Sequence, residues 1–317
     1  MGLPVQVRQG SAVVPACPRA SASWLLRWMK RSRITQLSAW SSPTSGRYSD
    51  SLVQSDFLAK IMGHRASPPA YLGDEWGDVM DPTGLNFAFG DSGVMEVPPD
   101  GVPNLAKQVR LLGHLVDADV VEDCNLKDSV ALVAYSGNDY TNSTNDEEIV
   151  GKVVDEIGSA VSHLLDMGVS KVLVNTVPPF GCSPWLARLH DYTSCDDDGN
   201  ADSDRDNKAL WDRLAGEDDD KVMLLDVNSI ITDLLVAPGE GSTLLTAPRL
   251  QACCNATDLD GGGYCGLDGG YSLCDHPEHY FFWDNVHPTQ AGWRAVMQML
   301  QGPIMAAFLG ISNLEHF

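Results

Sequence analysis

Short apolar runs alternate with amphipathic stretches from about residue 128 to the end of the chain. The runs are almost wholly apolar and stop at glycine, proline or polar residues, which is typical of strands buried on both faces. Between them, apolar residues recur with helical spacing, and acidic residues and glycines lie where helices begin and end. This pattern predicts strands at 129–137, 171–179 and 221–228 and helices at 146–168, 204–215, 229–239 and 288–302.

The alternation also predicts the fold class. Strands separated by helices pair in parallel through crossover connections, which gives a doubly wound α/β sheet. No internal repeat interrupts the pattern. We therefore expect one folded domain, over residues 43–317.

Charge separates the first part of the chain from the rest. Residues 1–49 contain seven Lys or Arg and no Asp or Glu, although the whole chain of 317 residues carries a net charge of −22. We expect residues 1–42 to form an atypical basic segment that is poorly ordered. The acidic remainder argues against nucleic acid or an anionic membrane surface as a partner, because both would repel it. No apolar run approaches the ~18 residues that a membrane span requires.

The eight cysteines point to an oxidising compartment. Five lie between 195 and 274, and none forms the Cys-x-x-Cys pair that is usual in zinc sites. This arrangement predicts disulfides, with neither metal nor cofactor. Sequons at Asn142 and Asn255 agree with secretion, although residues 1–49 contain no convincing signal peptide.

An acidic stretch at 195–207 could suggest a calcium loop. Counted from Asp196, however, Ala201 stands where such a loop needs glycine, and Asn207 stands where it needs glutamate. The composition therefore predicts a solvated loop.

Two segments carry residues suited to catalysis. Asp284 and His287 are three residues apart, just before a predicted helix, so that the carboxylate can orient the imidazole as a base. Asn138 follows the predicted strand at 129–137, at the sheet edge where ligands bind, and its amide can donate to a developing oxyanion. Each segment also has a purely structural interpretation. Asp284 and His287 could be a surface polar pair beside a helix cap, and the segment with Asn138 could be a plain turn.

Taken together, the motifs resemble the plant branch of the GDSL esterases and lipases, in the SGNH hydrolase superfamily. The resemblance covers roughly residues 43–302 and rests on motifs in the family's order, namely PTSGRYSDSLVQSDFLAKIMG (43–63), GLNFAFGDSGVMEVP (84–98), SVALVAYSGNDY (129–140), VNTVPPFGCSP (174–184), the cysteine-bearing ACCNAT…YCG…LCD, and FFWDNVHPTQAG (281–292).

The resemblance implies a three-layer α/β/α sandwich that is secreted and cleaves carboxylic esters through an acyl-enzyme intermediate. His287 would be the general base, Asp284 its orienting acid, and Asn138 an oxyanion donor. The cysteines would be structural, with Cys182 bonded to Cys195 and further pairs among Cys253, Cys254, Cys265 and Cys274.

The nucleophile is the open question. Residues 87–94, FAFGDSGV, look like a strand that ends in a serine nucleophile. The residues around them instead match the family's second block, which supplies a backbone N–H to the oxyanion hole. That match makes Gly90 the oxyanion donor and Ser92 a small residue on the same loop. Ser92 stays a competing candidate for the nucleophile, and its only support is the Gly-Asp-Ser sequence in which it lies.

The family's nucleophile block would fall near residues 11–21, which contain no Gly-Asp-Ser. Ser11 and Ser21 lie at the right distance but lack the motif. Two functions therefore stay open. One is an esterase or lipase acting on a small-molecule or lipid ester, impaired by loss of the nucleophile block. The other is an inactive relative that keeps the fold as a binding or structural protein. The oligomeric state is not predicted.

Overall fold

The computed structural model describes residues 47–65, 67–71, 83–96, 101–140, 147–217, 220–236, 247–256 and 270–302. The basic segment 1–42 and the sequon at Asn142 lie outside these residues, so the expectations about them stay predictions.

A parallel sheet forms the centre of the fold, as the alternation predicts. Its strands lie in the order β1 (Val130–Val133), β2 (Lys171–Asn175) and β3 (Val222–Leu225). Val174 of β2 is in register with Val133 of β1 and with Leu224 of β3. Because β2 has a strand on each side and helices on both faces, its apolar side chains are fully buried.

Helices cover both faces of the sheet, which confirms the three-layer α/β/α fold. Successive residues of β2 point to opposite faces, so Leu173 packs with helices α1, α7 and α8, whereas Val172 and Val174 pack with α2, α4 and α6. The helices are α1 (Gln54–Ile61), α2 (Leu105–Asp117), α3 (Asp123–Lys127), α4 (Glu147–Asp166), α5 (Pro184–Ala187), α6 (Asp197–Leu214), α7 (Val227–Val236) and α8 (Gln290–Leu300). Among the described residues, no helix is long and apolar enough to cross a membrane.

The acidic stretch 195–207 is not a solvated loop, and that prediction is wrong. Most of it forms the first turns of α6, which begins at Asp197. The side chain of Asp196 accepts a 2.8 Å hydrogen bond from the N–H of Gly199 and so caps the helix. Asp197 and Asp198 follow in the first turn, where the helix dipole favours negative charge.

Two disulfides join the ends of loop segments, one with a cysteine on either side of α5 in the sequence and one before α8. Cys182 is bonded to Cys195, as the resemblance implied, and Cys253 is bonded to Cys274. Cys253 precedes β4 (Cys254–Ala256), which pairs antiparallel with β5 (Tyr271–Leu273). Within the described ranges, no cysteine is free, and no group of three or more His, Cys, Asp or Glu could hold a metal ion.

Candidate active site

The elbow before α8 brings Asp284 and His287 into direct contact. Nδ1 of His287 lies 2.9 Å from each carboxylate oxygen of Asp284. The carboxylate also accepts the backbone N–H groups of Val286 and His287, at 3.0 and 2.8 Å. Since an ionised carboxylate only accepts hydrogen bonds, Nδ1 carries the proton and Nε2 is the basic nitrogen.

Backbone contacts hold this elbow rigid. The N–H of Trp283 donates to the carbonyl of His287 at 2.7 Å, which closes the loop between them. Thr289 caps α8 by accepting the N–H of Gly292 at 2.9 Å, and its hydroxyl donates to the carbonyl of Tyr280 at 2.7 Å. The orientation of the imidazole is therefore set by the backbone as well as by Asp284.

Residues Arg47–Asp50, which we call the clamp segment, lie against the same elbow. The ring of Tyr48 stacks on the imidazole of His287, with centroids 4.7 Å apart and planes inclined by 11°. The hydroxyl of Ser49 donates to the carbonyl of Pro288 at 3.0 Å. The carboxylate of Asp50 accepts the N–H of Gln290, the first residue of α8, at 2.6 Å.

An ion pair anchors the clamp segment to the start of α1. The guanidinium of Arg47 donates to both carboxylate oxygens of Asp56, each at 2.6 Å. Burial raises the pKa of the Asp56 carboxyl, but the hydrogen bonds from Arg47 and from the N–H groups of Val53 and Ser67 outweigh it and hold the pKa below its usual value. The carboxylate of Asp56 is therefore ionised at neutral pH.

Gly90 lies beside the ring that stacks on His287. A Cβ at this position would come within 2.6 Å of the hydroxyl oxygen of Tyr48. The structure thus places the predicted oxyanion donor and the predicted base against the same aromatic side chain. Any side chain at this position would have to displace the ring of Tyr48.

Asn138 contacts the loop that holds Gly90 from a short 3₁₀ turn after β1 (Asn138–Tyr140). Its amide nitrogen donates to the carbonyl of Ser92 at 2.9 Å. The neighbouring carboxylate of Asp139 accepts the N–H groups of Val94 and Met95, at 3.0 and 2.6 Å. These contacts fix residues 92–95, just after Gly90, against the 3₁₀ turn that follows β1.

The hydroxyl of Ser92 belongs to a different hydrogen-bond network. It donates to the carbonyl of Pro103 at 2.8 Å and accepts from the amide of Gln108 at 2.9 Å. Pro103 lies just before α2 and Gln108 lies in its first turns. Within the part of the chain that the structure describes, no hydrogen bond joins this hydroxyl to His287. The residues 87–89 before it form no strand. The backbone at Asp91 is left-handed, with φ of 60°, which makes this a turn.

A buried carboxylate supports the turn that carries Asn138. Asp206 of α6 accepts the hydroxyl of Tyr140 at 2.6 Å and that of Tyr135 at 3.1 Å. Burial raises the pKa of Asp206 to about 6, although the hydrogen bonds from both tyrosines act in the opposite direction. Burial likewise raises the pKa of each tyrosine above its ordinary value.

Tyr48 and Asp206 have roles in the site that no sequence pattern indicated. Tyr48 lies inside a motif of the resemblance, GRYSD, but the spacing of that motif does not indicate its contact with His287. Asp206 lies in the stretch interpreted as a solvated loop. Its position among the apolar residues of α6, four before Leu210, is the signal that could have identified it as buried.

The comparisons with known proteins agree with the resemblance. Residues 34–300 match the family model described as GDSL-like Lipase/Acylhydrolase. An Arabidopsis thaliana protein named GDSL esterase/lipase is 33% identical over 278 residues, covering 82% of this chain and 83% of its own. A second Arabidopsis protein of that name is 33% identical over 276 residues, covering 81% and 76%. A protein named GDSL lipase from Tanacetum cinerariifolium is 28% identical over 285 residues, covering 83% and 73%.

Proposed function

This chain belongs to the GDSL-like lipase/acylhydrolase family and is by family a carboxylic ester hydrolase, and we propose that its ester-hydrolysing site is the one formed by Asp284, His287, Gly90 and Asn138. The observation that carries the proposal is the pairing of His287 with Asp284, since this pairing leaves Nε2 as the base. Both lie at the elbow before α8, beside the loop that holds Gly90.

Each residue has a distinct step in the reaction. Nε2 of His287 takes the proton of the attacking hydroxyl group, and the carboxylate of Asp284 stabilises the imidazolium that forms. The N–H of Gly90 and the amide of Asn138 donate to the oxyanion that develops on the ester carbonyl, where one such donor is worth ~2.7–4 kcal/mol. The attacking oxygen bonds to the carbonyl carbon, the bond from that carbon to the alkoxy oxygen breaks, and His287 returns the proton to the leaving alcohol. In the second half His287 takes a proton from water, whose oxygen bonds to the acyl carbon, and the proton returns to the hydroxyl group as the acid is released.

We assign Ser92 to the structure of the loop rather than to the attack. Its hydroxyl proton is donated to the carbonyl of Pro103, and Gln108 donates to its oxygen. A nucleophile would instead donate to Nε2 of His287. The same observation favours a second candidate function, an inactive relative that keeps the fold as a binding or structural protein.

The substrate class that we propose is a small-molecule or lipid ester, hydrolysed outside the cell. The disulfides Cys182–Cys195 and Cys253–Cys274 support the extracellular location, because such bonds persist in oxidising compartments.

The test is hydrolysis of p-nitrophenyl acetate and butyrate by the purified full chain. We expect His287→Ala to abolish turnover, whereas the matched variant His276→Ala, whose side chain is 65% exposed, leaves it unchanged. We expect Ser92→Ala to keep at least about a third of the activity, because the Ser92 hydroxyl bonds neither His287 nor Asn138, and alanine keeps the backbone carbonyl that accepts from Asn138. Loss of turnover in Ser92→Ala, with an unchanged circular dichroism spectrum, would make Ser92 the nucleophile.

A covalent probe identifies the attacking residue directly. A fluorophosphonate reacts with an activated serine, and mass mapping of the labelled peptides names that serine. Labelling that disappears in His287→Ala supports the esterase. A chain that neither labels nor turns over either ester is the inactive relative.

A further inference from the structure

We propose that Tyr48 is a positioning residue for His287, holding the imidazole in its working orientation through the face of its ring. The inference rests on the proposed function, since it concerns the base of that site. Its starting point is the stack between the two rings, 4.7 Å between centroids with an angle of 11° between planes.

Asp284 and Tyr48 restrain the imidazole in complementary directions. The carboxylate of Asp284 contacts Nδ1 at 2.9 Å in a hydrogen bond, which fixes one edge of the ring. A hydrogen bond at one edge still allows the ring to tilt about it. The aromatic face of Tyr48 opposes that tilt, because a rotated imidazole would collide with it.

The residues before and after Tyr48 in the sequence are both bound, and they hold its ring in place. Ser49 and Asp50 bind the Pro288–Gln290 segment directly, at 3.0 and 2.6 Å. Before it, Arg47 is bound by the carboxylate of Asp56, whose side chain is fully buried. Tyr48 therefore shares one rigid frame with the elbow that carries His287.

The hydroxyl end of the same ring packs over Gly90. Tyr48 thus contacts both His287 and the loop of Gly90. Through this shared contact, the position of the base depends on the position of the predicted oxyanion donor. An aromatic face also stabilises a cation above it, so the ring favours the imidazolium formed during the reaction. Both effects act on the chemical step more than on substrate binding.

The experiment compares Tyr48→Phe with Tyr48→Leu in the full chain, using p-nitrophenyl butyrate. Phenylalanine keeps the ring, so we expect it to retain at least about a third of kcat. Leucine removes the ring, and we expect kcat to fall about tenfold or more with KM changed less than about threefold. Tyr271→Leu, at an exposed tyrosine, is the matched control and should leave both constants unchanged.

An equal loss in Tyr48→Phe and Tyr48→Leu would overturn the proposal, because the hydroxyl rather than the ring would then matter. A rise in KM alone would overturn it as well. Where Tyr48→Leu does not fold, Tyr48→Met supplies a flexible side chain that cannot stack with a fixed plane.

A second measurement does not require turnover. In the full chain with ¹⁵N-labelled histidine, the Nδ1 proton of His287 bound to Asp284 gives a downfield NMR signal that His287→Ala identifies by its loss. We expect the wild type and Tyr48→Phe to show it and Tyr48→Leu to lose or broaden it. A signal unchanged in Tyr48→Leu would refute the positioning role. This readout separates failure of the inference from failure of the proposed function, since an inactive wild type still reports the state of His287.

Discussion

The carboxylate of Asp50 accepts the N–H of Gln290 at 2.6 Å, although 240 positions separate the two residues. Gln290 is the first residue of α8, and its N–H is one of those that a helix leaves without an internal partner. The clamp segment therefore completes the cap of the helix that follows His287, and it places Tyr48 on the imidazole in doing so.

Removal of this contact should destabilise the fold and the site together. Asp50→Ala leaves the N–H of Gln290 without its acceptor and removes a negative charge from the N-terminus of α8. We expect the free energy of unfolding to fall by about 1–2 kcal/mol, measured by urea denaturation. Asp212→Ala, which loses only an exposed pair with Lys208, should change it by less than about 0.5 kcal/mol. Equal effects in the two variants would contradict the capping role.

Arg47→Ala should be more damaging, because it leaves the buried carboxylate of Asp56 without its cation. We expect a loss of about 3–5 kcal/mol in the free energy of unfolding, and a smaller loss when Asp56→Asn is combined with it. The control is Lys107→Ala, in an exposed pair with Glu96, which should lower the free energy of unfolding far less.

The same pair predicts a pH dependence. The folded pKa of Asp56 lies below its unfolded value of 3.8, so its stabilising contribution is complete above that value and is lost as the pH falls through the folded pKa. The wild type should lose more stability than the double variant as the pH is lowered below about 4. If the wild type and the double variant lost stability equally as the pH fell, the ion pair would not hold the Asp56 carboxylate ionised.

Asp206 should give the opposite pH dependence. Its pKa is raised from 3.8 to about 6 in the folded chain, so its contribution is greatest below 3.8 and is lost as the pH rises through about 6. At about 1.4 kcal/mol per pH unit, the stability of the wild type relative to Asp206→Asn should fall by at most roughly 3 kcal/mol between pH 4 and pH 7. Urea denaturation at both pH values measures this, with the exposed Asp204→Asn as control. A relative stability that rises with pH would disprove the assignment.

Gly90→Ala should disturb the site without removing the N–H of residue 90. The added methyl group would lie 2.6 Å from the hydroxyl of Tyr48, so the ring must move away from its place on His287. We expect kcat to fall at least tenfold and the free energy of unfolding to fall by about 1–3 kcal/mol. Gly151→Ala is the matched control, since a methyl group there meets nothing within 4 Å and should stabilise α4 by about 0.5–1 kcal/mol. Unchanged activity in Gly90→Ala would contradict this prediction, because it would show that the ring of Tyr48 can move aside without harm to the site.

The sequence by itself determined the features that depend on neighbouring residues. The strands Val130–Val133, Lys171–Asn175 and Val222–Leu225 were predictable because a strand buried on both faces must be apolar throughout. The pairing of Asp284 with His287 was predictable because three residues in one elbow keep the two side chains within reach. The start of α6 was missed because its acidic residues were interpreted by composition, whereas their effect comes from the cap of Asp196 and the helix dipole.

Only the tertiary structure decided which distant groups meet. Ser49 and Pro288 are 239 positions apart, and no local pattern indicates that a hydrogen bond joins them. The same holds for Tyr48 on His287 and for Asp206 between two tyrosines, since packing of α1, α6 and α8 on the sheet brings these side chains together. The Gly-Asp-Ser at residues 90–92 shows the difference most clearly. The tripeptide looks like the motif of a serine nucleophile. The partners of the Ser92 hydroxyl, however, are Pro103 and Gln108, and these are set by the approach of α2.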